Sequence, residues 1–162
     1  MFSASATLLA KAFLKEAREH GLHVVTAESC TGGLIAGALT AIPGSSDVVD
    51  RGFIVYTNSA KTDLLNVPNA LIRKYGAVSE EVARAMAEGA LARSAAEMSV
   101  SCTGIAGPSG GTAEKPVGLV HFAAARQNET TLSEECRFGN IGRDAVRMRS
   151  VEAALKLLLQ LV

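Results

Sequence analysis

Three short apolar runs, each closing on a turn of hydroxyl-bearing or glycine residues, constrain this chain more than any other feature. His23-Val24-Val25-Thr26 leads into Ala27-Glu28-Ser29-Cys30-Thr31-Gly32-Gly33, and Gly52-Phe53-Ile54-Val55-Tyr56 leads into Thr57-Asn58. Met98-Ser99-Val100-Ser101-Cys102 leads into the glycine-rich stretch Thr103 to Thr112. Between these runs the apolar spacing changes to that of a helix, so strands and helices alternate. Such alternation builds parallel strands joined by helical crossovers.

The helical pieces can be placed by their punctuation. Leu8, Leu9 and Phe13 mark a first helix that ends near Gly21, and Leu34 to Ala41 forms a second, stopped by Pro43-Gly44. Further helices are predicted over Asn58–Leu65, Asn69–Tyr75 and Ser79–Arg93, the last opening on the capped start Ser79-Glu80-Glu81-Val82. A short helix capped by Ser45 or Ser46 is predicted at Asp47-Val48-Val49. Val117–Ala125 and Thr130–Phe138 read as a strand hairpin, and Arg143–Leu161 as a long closing helix. The prediction is a three-layer α/β/α sandwich with a mixed, mostly parallel sheet of about five strands, in one domain over residues 1–162.

Charge removes several functions from consideration. Sixteen basic and sixteen acidic residues give a formal net charge of zero. No basic field favours nucleic acid or an anionic membrane, so neither is expected as a partner. The first helix interrupts its apolar residues with Lys11, Lys15, Glu16 and Arg18, unlike a secretory leader, and no apolar run nears the roughly 20 residues of a membrane span. Cys30, Cys102 and Cys136 lack metal-finger spacing and read as reduced thiols of a cytoplasmic protein. His20, His23 and His121 show no metal-like pairing, so no metal is expected. There is no Walker lysine and no full dinucleotide fingerprint, and no cofactor is expected. Leu155, Leu157, Leu158, Leu159 and Leu161 cover more than one face of the last helix, which leaves open either a homodimer or a helix buried between other elements.

In sheets of this kind ligands gather beyond the carboxyl ends of the strands. The turns at Ser29–Gly33, Tyr56–Lys61 and Thr103–Gly111 fall there. Ser29, Thr31, Gly32 and Gly33 at a helix start suit an anion, or serve as a tight turn with a hydroxyl cap. Thr103, Gly104 and the following loop hold four glycines and a proline within nine residues, a path that can offer N–H groups to an oxyanion or simply turn at the surface. With Asn58 as N-cap, Lys61 is the third helical residue, where the helix dipole disfavours its charge and favours the neutral, basic form. Ser46 and Lys61 resemble the nucleophile and base of a Ser–Lys hydrolase, and equally a helix cap and a solvated lysine. Cys30 is a rival nucleophile. Arg143, in the first turn of the last helix, can reach a phosphate or pair with Asp144 or Glu28, while Arg147 and Arg149 read as a solvated face.

Several segments occur together in a recognisable order. They are Thr26-Ala27-Glu28-Ser29-Cys30-Thr31-Gly32-Gly33, Pro43-Gly44-Ser45-Ser46, Tyr56-Thr57-Asn58 with Lys61, Gly76-Ala77-Val78-Ser79, Thr103-Gly104-Ile105-Ala106-Gly107-Pro108 with Gly110-Gly111, and Lys115-Pro116-Val117-Gly118. The chain resembles the CinA C-terminal-domain family over nearly its whole length. Stand-alone members of that family include nicotinamide mononucleotide (NMN) deamidases. The resemblance implies metal-free hydrolysis of NMN to nicotinic acid mononucleotide and ammonia. It implies Ser46 and Lys61 as the catalytic pair with Tyr56 assisting, and Ser29, Thr31, Gly32, Gly33, Thr103, Gly104 and Arg143 around the nucleotide. Gly139-Asn140 stands where the family more often has Gly-Asp. The alternative is a nucleotide-binding module of the same family that does no chemistry.

Overall fold

The computed structural model describes residues 2–162. Strands β1 (Val24–Glu28), β2 (Val49–Ile54), β3 (Met98–Gly104), β4 (Leu119–Arg126) and β5 (Leu132–Arg137) form a sheet in the order β2-β1-β3-β4-β5. β1 runs parallel to both of its neighbours, and β4 and β5 are each antiparallel to the strand before them. The predicted mixed sheet is therefore a parallel trio extended by the predicted hairpin.

The helices are α1 (Ala4–Glu19), α2 (Leu34–Thr40), α3 (Asn58–Leu65), α4 (Asn69–Tyr75), α5 (Glu80–Ala92) and α6 (Arg143–Leu159). Alternation along the strands decides which helices lie on which face. Val24, Met98, Val100, Cys102, Val120 and Phe122 point to the face covered by α1, α2 and α6. Val25 and Ala27 point to the opposite face, under α3, α4 and α5. Ala123 and Ala125 of β4 meet Ala83 and Ala87 of α5, where small residues let helix and sheet approach closely. β3 carries three hydroxyls on this second face. Ser99 and Ser101 donate to the α5 carbonyls of Ala87 and Ala83 at 2.7 and 2.6 Å, and Thr103 donates to Ala77 O at 2.8 Å. Buried polar groups thereby keep partners and fix α5 and its leading loop against β3.

The residues around 45–56 depart from expectation. β2 starts at Val49, which pairs with Val24, so the predicted helix at Asp47–Val49 shrinks to a 3-10 turn at Ser45–Asp47. Burial of the β-branched Val48 carries the chain directly into the strand. β2 then ends at Ile54, leaving Tyr56 in the turn beyond it. In α6, Leu155, Leu157, Leu158 and the following Leu161 are buried within this chain, so its excess of leucines is consumed by its own core. Among the described residues no helix is long and apolar enough to cross a membrane.

Gly89 sits inside α5, where glycine costs about 1 kcal/mol relative to alanine. A Cβ there would collide with the Leu65 carbonyl oxygen at the end of α3. Gly89→Ala should therefore destabilise by about 1–3 kcal/mol despite its better helix propensity, seen as a lower thermal midpoint. An unchanged or raised midpoint would show that α3 yields freely.

Candidate functional site

The carboxyl ends of β1 and β3, the turn beyond β2 and the start of α6 enclose a cavity of about 270 Å³. The turn after β1 contributes Ser29 and Cys30, the β2–α3 turn and the start of α3 contribute Tyr56, Asn58 and Lys61, and the loop before α5 contributes Ala77 and Val78. Thr103 and Gly104, the loop through Gly110, and Arg143 complete the wall. All three predicted turns thus meet at one place.

Lys61 is 1% exposed. The N-cap of α3 is Thr57, whose Oγ1 accepts from Ala60 N at 3.1 Å, one residue before the predicted Asn58. Lys61 is therefore the fourth helical residue, and its side chain turns inward. Its Nζ lies 3.1 Å from Ser29 Oγ, 3.0 Å from Val55 O and 3.4 Å from Tyr56 O. Burial pushes its pKa below the usual lysine value, partly offset by the nearby Cys30 sulfur. A neutral amine has two N–H groups and one lone pair. With two N–H groups on the carbonyls, the third position of the amine meets Ser29 Oγ, as an N–H donated by the ammonium or as the lone pair once the amine is neutral.

Ser46 is not the serine beside Lys61. It is exposed, in the 3-10 turn that precedes β2, whereas Lys61 follows β2. Between them lie the six residues of that strand, which span about 20 Å along the sheet. The neighbourhood of Ser46 is the end of α1, where Arg18 Nη2 donates to Gly44 O at 2.8 Å and Arg18 Nε to Asp47 Oδ2 at 3.3 Å.

Of the two readings of the Ser29–Gly33 turn, an anion site or a tight turn with a hydroxyl cap, the geometry is that of a capped turn, with a carboxylate in place of the hydroxyl. Glu28 is fully buried, and its Oε2 accepts from Gly33 N and Ile35 N at 3.0 Å each. Its Oε1 accepts from Ala36 N at 2.8 Å, and Leu34 N is taken by Thr31 O. The start of α2 is thus capped by the protein's own carboxylate, with its dipole already answered. Gly32 and Gly33 take positive φ values of 59° and 99° to let the chain double back. Neither they nor Thr31 line the cavity, and among the described residues Thr31 Oγ1 is buried without a hydrogen-bond partner. Only Ser29, with Cys30, faces inward from this turn. Arg147 holds the turn from outside, Nε to Cys30 O at 3.2 Å and Nη2 to Thr31 O at 3.1 Å, so it is no solvated residue.

Across the cavity Arg143 donates to Gly107 O and to Tyr56 Oη, both at 2.9 Å. It pairs with neither Asp144 nor Glu28, and its remaining donors are free to meet a ligand. Thr103 and Gly104 form the floor. A Cβ on Gly104 would lie 2.7 Å from Val120 Cγ2 and 2.9 Å from Leu119 O, so the close pass against β4 requires glycine.

Residues 6–162 match the family model described as the CinA C-terminal domain. The chain belongs to that family. It is 50% identical over 141 residues to a CinA-like protein of Syntrophobacter fumaroxidans, covering 87% of this chain and 33% of that one. A CinA-like protein of a Synechococcus is 49% identical over 158 residues, 97% of this chain and 38% of the relative. The chain therefore spans about a third of the length of the curated relatives it matches. The crystal structure of the competence/damage inducible protein CihA from Agrobacterium tumefaciens superposes with a TM-score of 0.98 at 53% identity, covering 99% of this chain and 98% of that one. A CinA superfamily protein from Escherichia coli gives 0.91 at 35% identity, covering 100% and 94%. Within this CinA domain, the residues that sequence reasoning missed are Glu28 and Arg147. A signal for Glu28 existed: an acidic residue closing an apolar strand, five residues before Gly33, a helix N-cap with no capping side chain of its own.

Proposed function

We propose that this CinA domain is an amidohydrolase that converts NMN and water to nicotinic acid mononucleotide and ammonia, with Ser29 as nucleophile and Lys61 as base. The observation that carries the reading is a buried lysine nitrogen 3.1 Å from a cavity-facing serine hydroxyl. Ser29 Oγ attacks the carboxamide carbon as its proton passes to Lys61 Nζ. The tetrahedral oxyanion forms beside the backbone N–H groups that follow the nucleophile, where donors stabilise developing charge. Collapse breaks the carbon–nitrogen bond. The proton held by Lys61, relayed with help from the Tyr56 hydroxyl, leaves with ammonia. A water activated by the same amine hydrolyses the ester and restores Ser29.

Substrate choice rests on size and charge. The cavity, at about 270 Å³, lies just below the roughly 300–1,000 Å³ typical of small-molecule sites, which suits one nucleotide better than two. Arg143 and the Gly104–Gly110 loop offer the donors for its phosphate. Ammonia release from purified protein should be fastest with NMN and slower with nicotinamide, its riboside or the dinucleotide. Saturable NMN binding with no ammonia would replace the enzyme by a binding module.

The lysine predicts the pH dependence. Only neutral Lys61 accepts the serine proton, so kcat/KM should rise with pH and level off below the range of an ordinary lysine, because burial lowers its pKa. A flat profile from weakly acidic to alkaline pH would remove lysine as the base.

A further inference from the structure

A second reactive pair sits against the first. Cys30 Sγ and Cys102 Sγ are 3.5 Å apart, although the residues are far apart in sequence. Cys30 lines the cavity directly after Ser29, while Cys102 is fully buried on β3. The backbone joins the same elements, since Ser29 N donates to Cys102 O at 3.0 Å. Nothing in the proposed hydrolysis uses either sulfur.

We infer that Cys30 and Cys102 are a dithiol modification site that peroxide entering the cavity closes into a disulfide, disarming the adjacent Ser29–Lys61 pair; this rests on the amidohydrolase reading. Cys30 sulfur attacks a peroxide oxygen, the O–O bond breaks and hydroxide departs, leaving a sulfenic acid. Cys102 sulfur then attacks Cys30 sulfur, the S–O bond breaks, and the released hydroxide leaves as water with the Cys102 proton. With hydrogen peroxide the sum is two thiols and one peroxide giving one disulfide and two waters.

The roles of the two sulfurs differ. The hydrogen bond from Cys102 lowers the pKa of Cys30 against the opposing effect of burial. Burial pushes Cys102 up, so it waits as the resolving thiol. Cys136, on β5, is pushed up to about 12 by burial and Glu134 and serves as an internal bystander.

Closure disturbs catalysis for a mechanical reason. A disulfide needs sulfurs about 2.05 Å apart. Cys102 is held within β3, between β1 and β4, so the approach falls on the turn that carries Cys30 and Ser29. Misplacing reacting groups by about 1 Å can cost 10²-fold in rate.

The test treats reduced protein with hydrogen peroxide, alkylates the remaining thiols and reads intact mass, peptide cross-links and ammonia release together. The expected result is loss of two of the three alkylatable thiols, a Cys30–Cys102 cross-linked peptide, and a fall in NMN turnover of at least about tenfold that dithiothreitol reverses. Cys102→Ala should keep the turnover of the reduced protein and form no cross-link, and Cys136→Ser should respond as the parent does. Three thiols still alkylatable after peroxide, or a cross-link with unchanged turnover, overturn the inference. Reduced protein that releases no ammonia overturns the NMN reading instead, and the thiol count still judges the pair.

Discussion

Ser29→Ala should lower NMN turnover by at least about 10³-fold and Lys61→Met by about 10²–10⁴-fold, while Ser46→Ala leaves kcat and KM unchanged. The expectation follows from which serine meets the buried amine. Ser29 Oγ is 3.1 Å from Lys61 Nζ, whereas Ser46 lies before β2 at the far end of the sheet. Methionine keeps the length and apolar stem of Lys61 without a proton acceptor. It also removes an amine whose burial is costly, so folding should survive and the loss can be assigned to chemistry. Lys61→Arg should be no better than methionine, because guanidinium cannot give up its proton at any working pH. The double variant Ser29→Ala/Lys61→Met should be scarcely worse than either single change, since nucleophile and base act as one unit. Steady-state ammonia release, with thermal unfolding of each variant, checks the set. Activity that survives in Ser29→Ala and vanishes in Ser46→Ala would overturn the assignment.

The sequence carried the architecture because periodicity reports what each residue buries. Val24 and Val25 alternate between two cores, α4 begins and ends where its pattern places it, and α3 ends where its pattern does. Three turns converging on one cavity was legible too, because strand ends of a parallel trio share one side of the sheet. The pairing inside the cavity was not. Ser46 and Lys61 are close in sequence, yet an intervening strand carries them apart, while Ser29 and Lys61 meet only because β1 and β2 run parallel side by side. The choice between an anion site and a capped turn at Ser29–Gly33 was open for a related reason. Local chemistry shows free N–H groups at a helix start, but only the fold shows that Glu28 has already filled them. Arg147 looked solvated because a helical position does not reveal which turn packs over it.

Glu28→Ala should be among the most destabilising changes in the chain. It strips three backbone N–H groups of their acceptor in a buried turn and leaves a void where a fully buried side chain stood. An unsatisfied buried donor costs about 1–3 kcal/mol, so with partial rescue by water the loss should be about 3–4 kcal/mol. For a domain of this size that lowers the thermal midpoint by roughly 6–16 °C. Glu28→Gln should fall between the two. Its single carbonyl oxygen can keep the pair of bonds now made by Oε2, but its NH₂ then faces the N–H of Ala36 donor to donor. The consequence for chemistry is separable from folding, because Glu28 does not line the cavity and acts only by fixing the turn that aims Ser29. Well below its midpoint, Glu28→Gln should show a lowered kcat with a nearly unchanged KM, since Arg143 and the Gly104–Gly110 wall are untouched. A Glu28→Gln protein that melts and turns over like the parent would mean that the α2 start finds other acceptors and that Ser29 needs no such anchor.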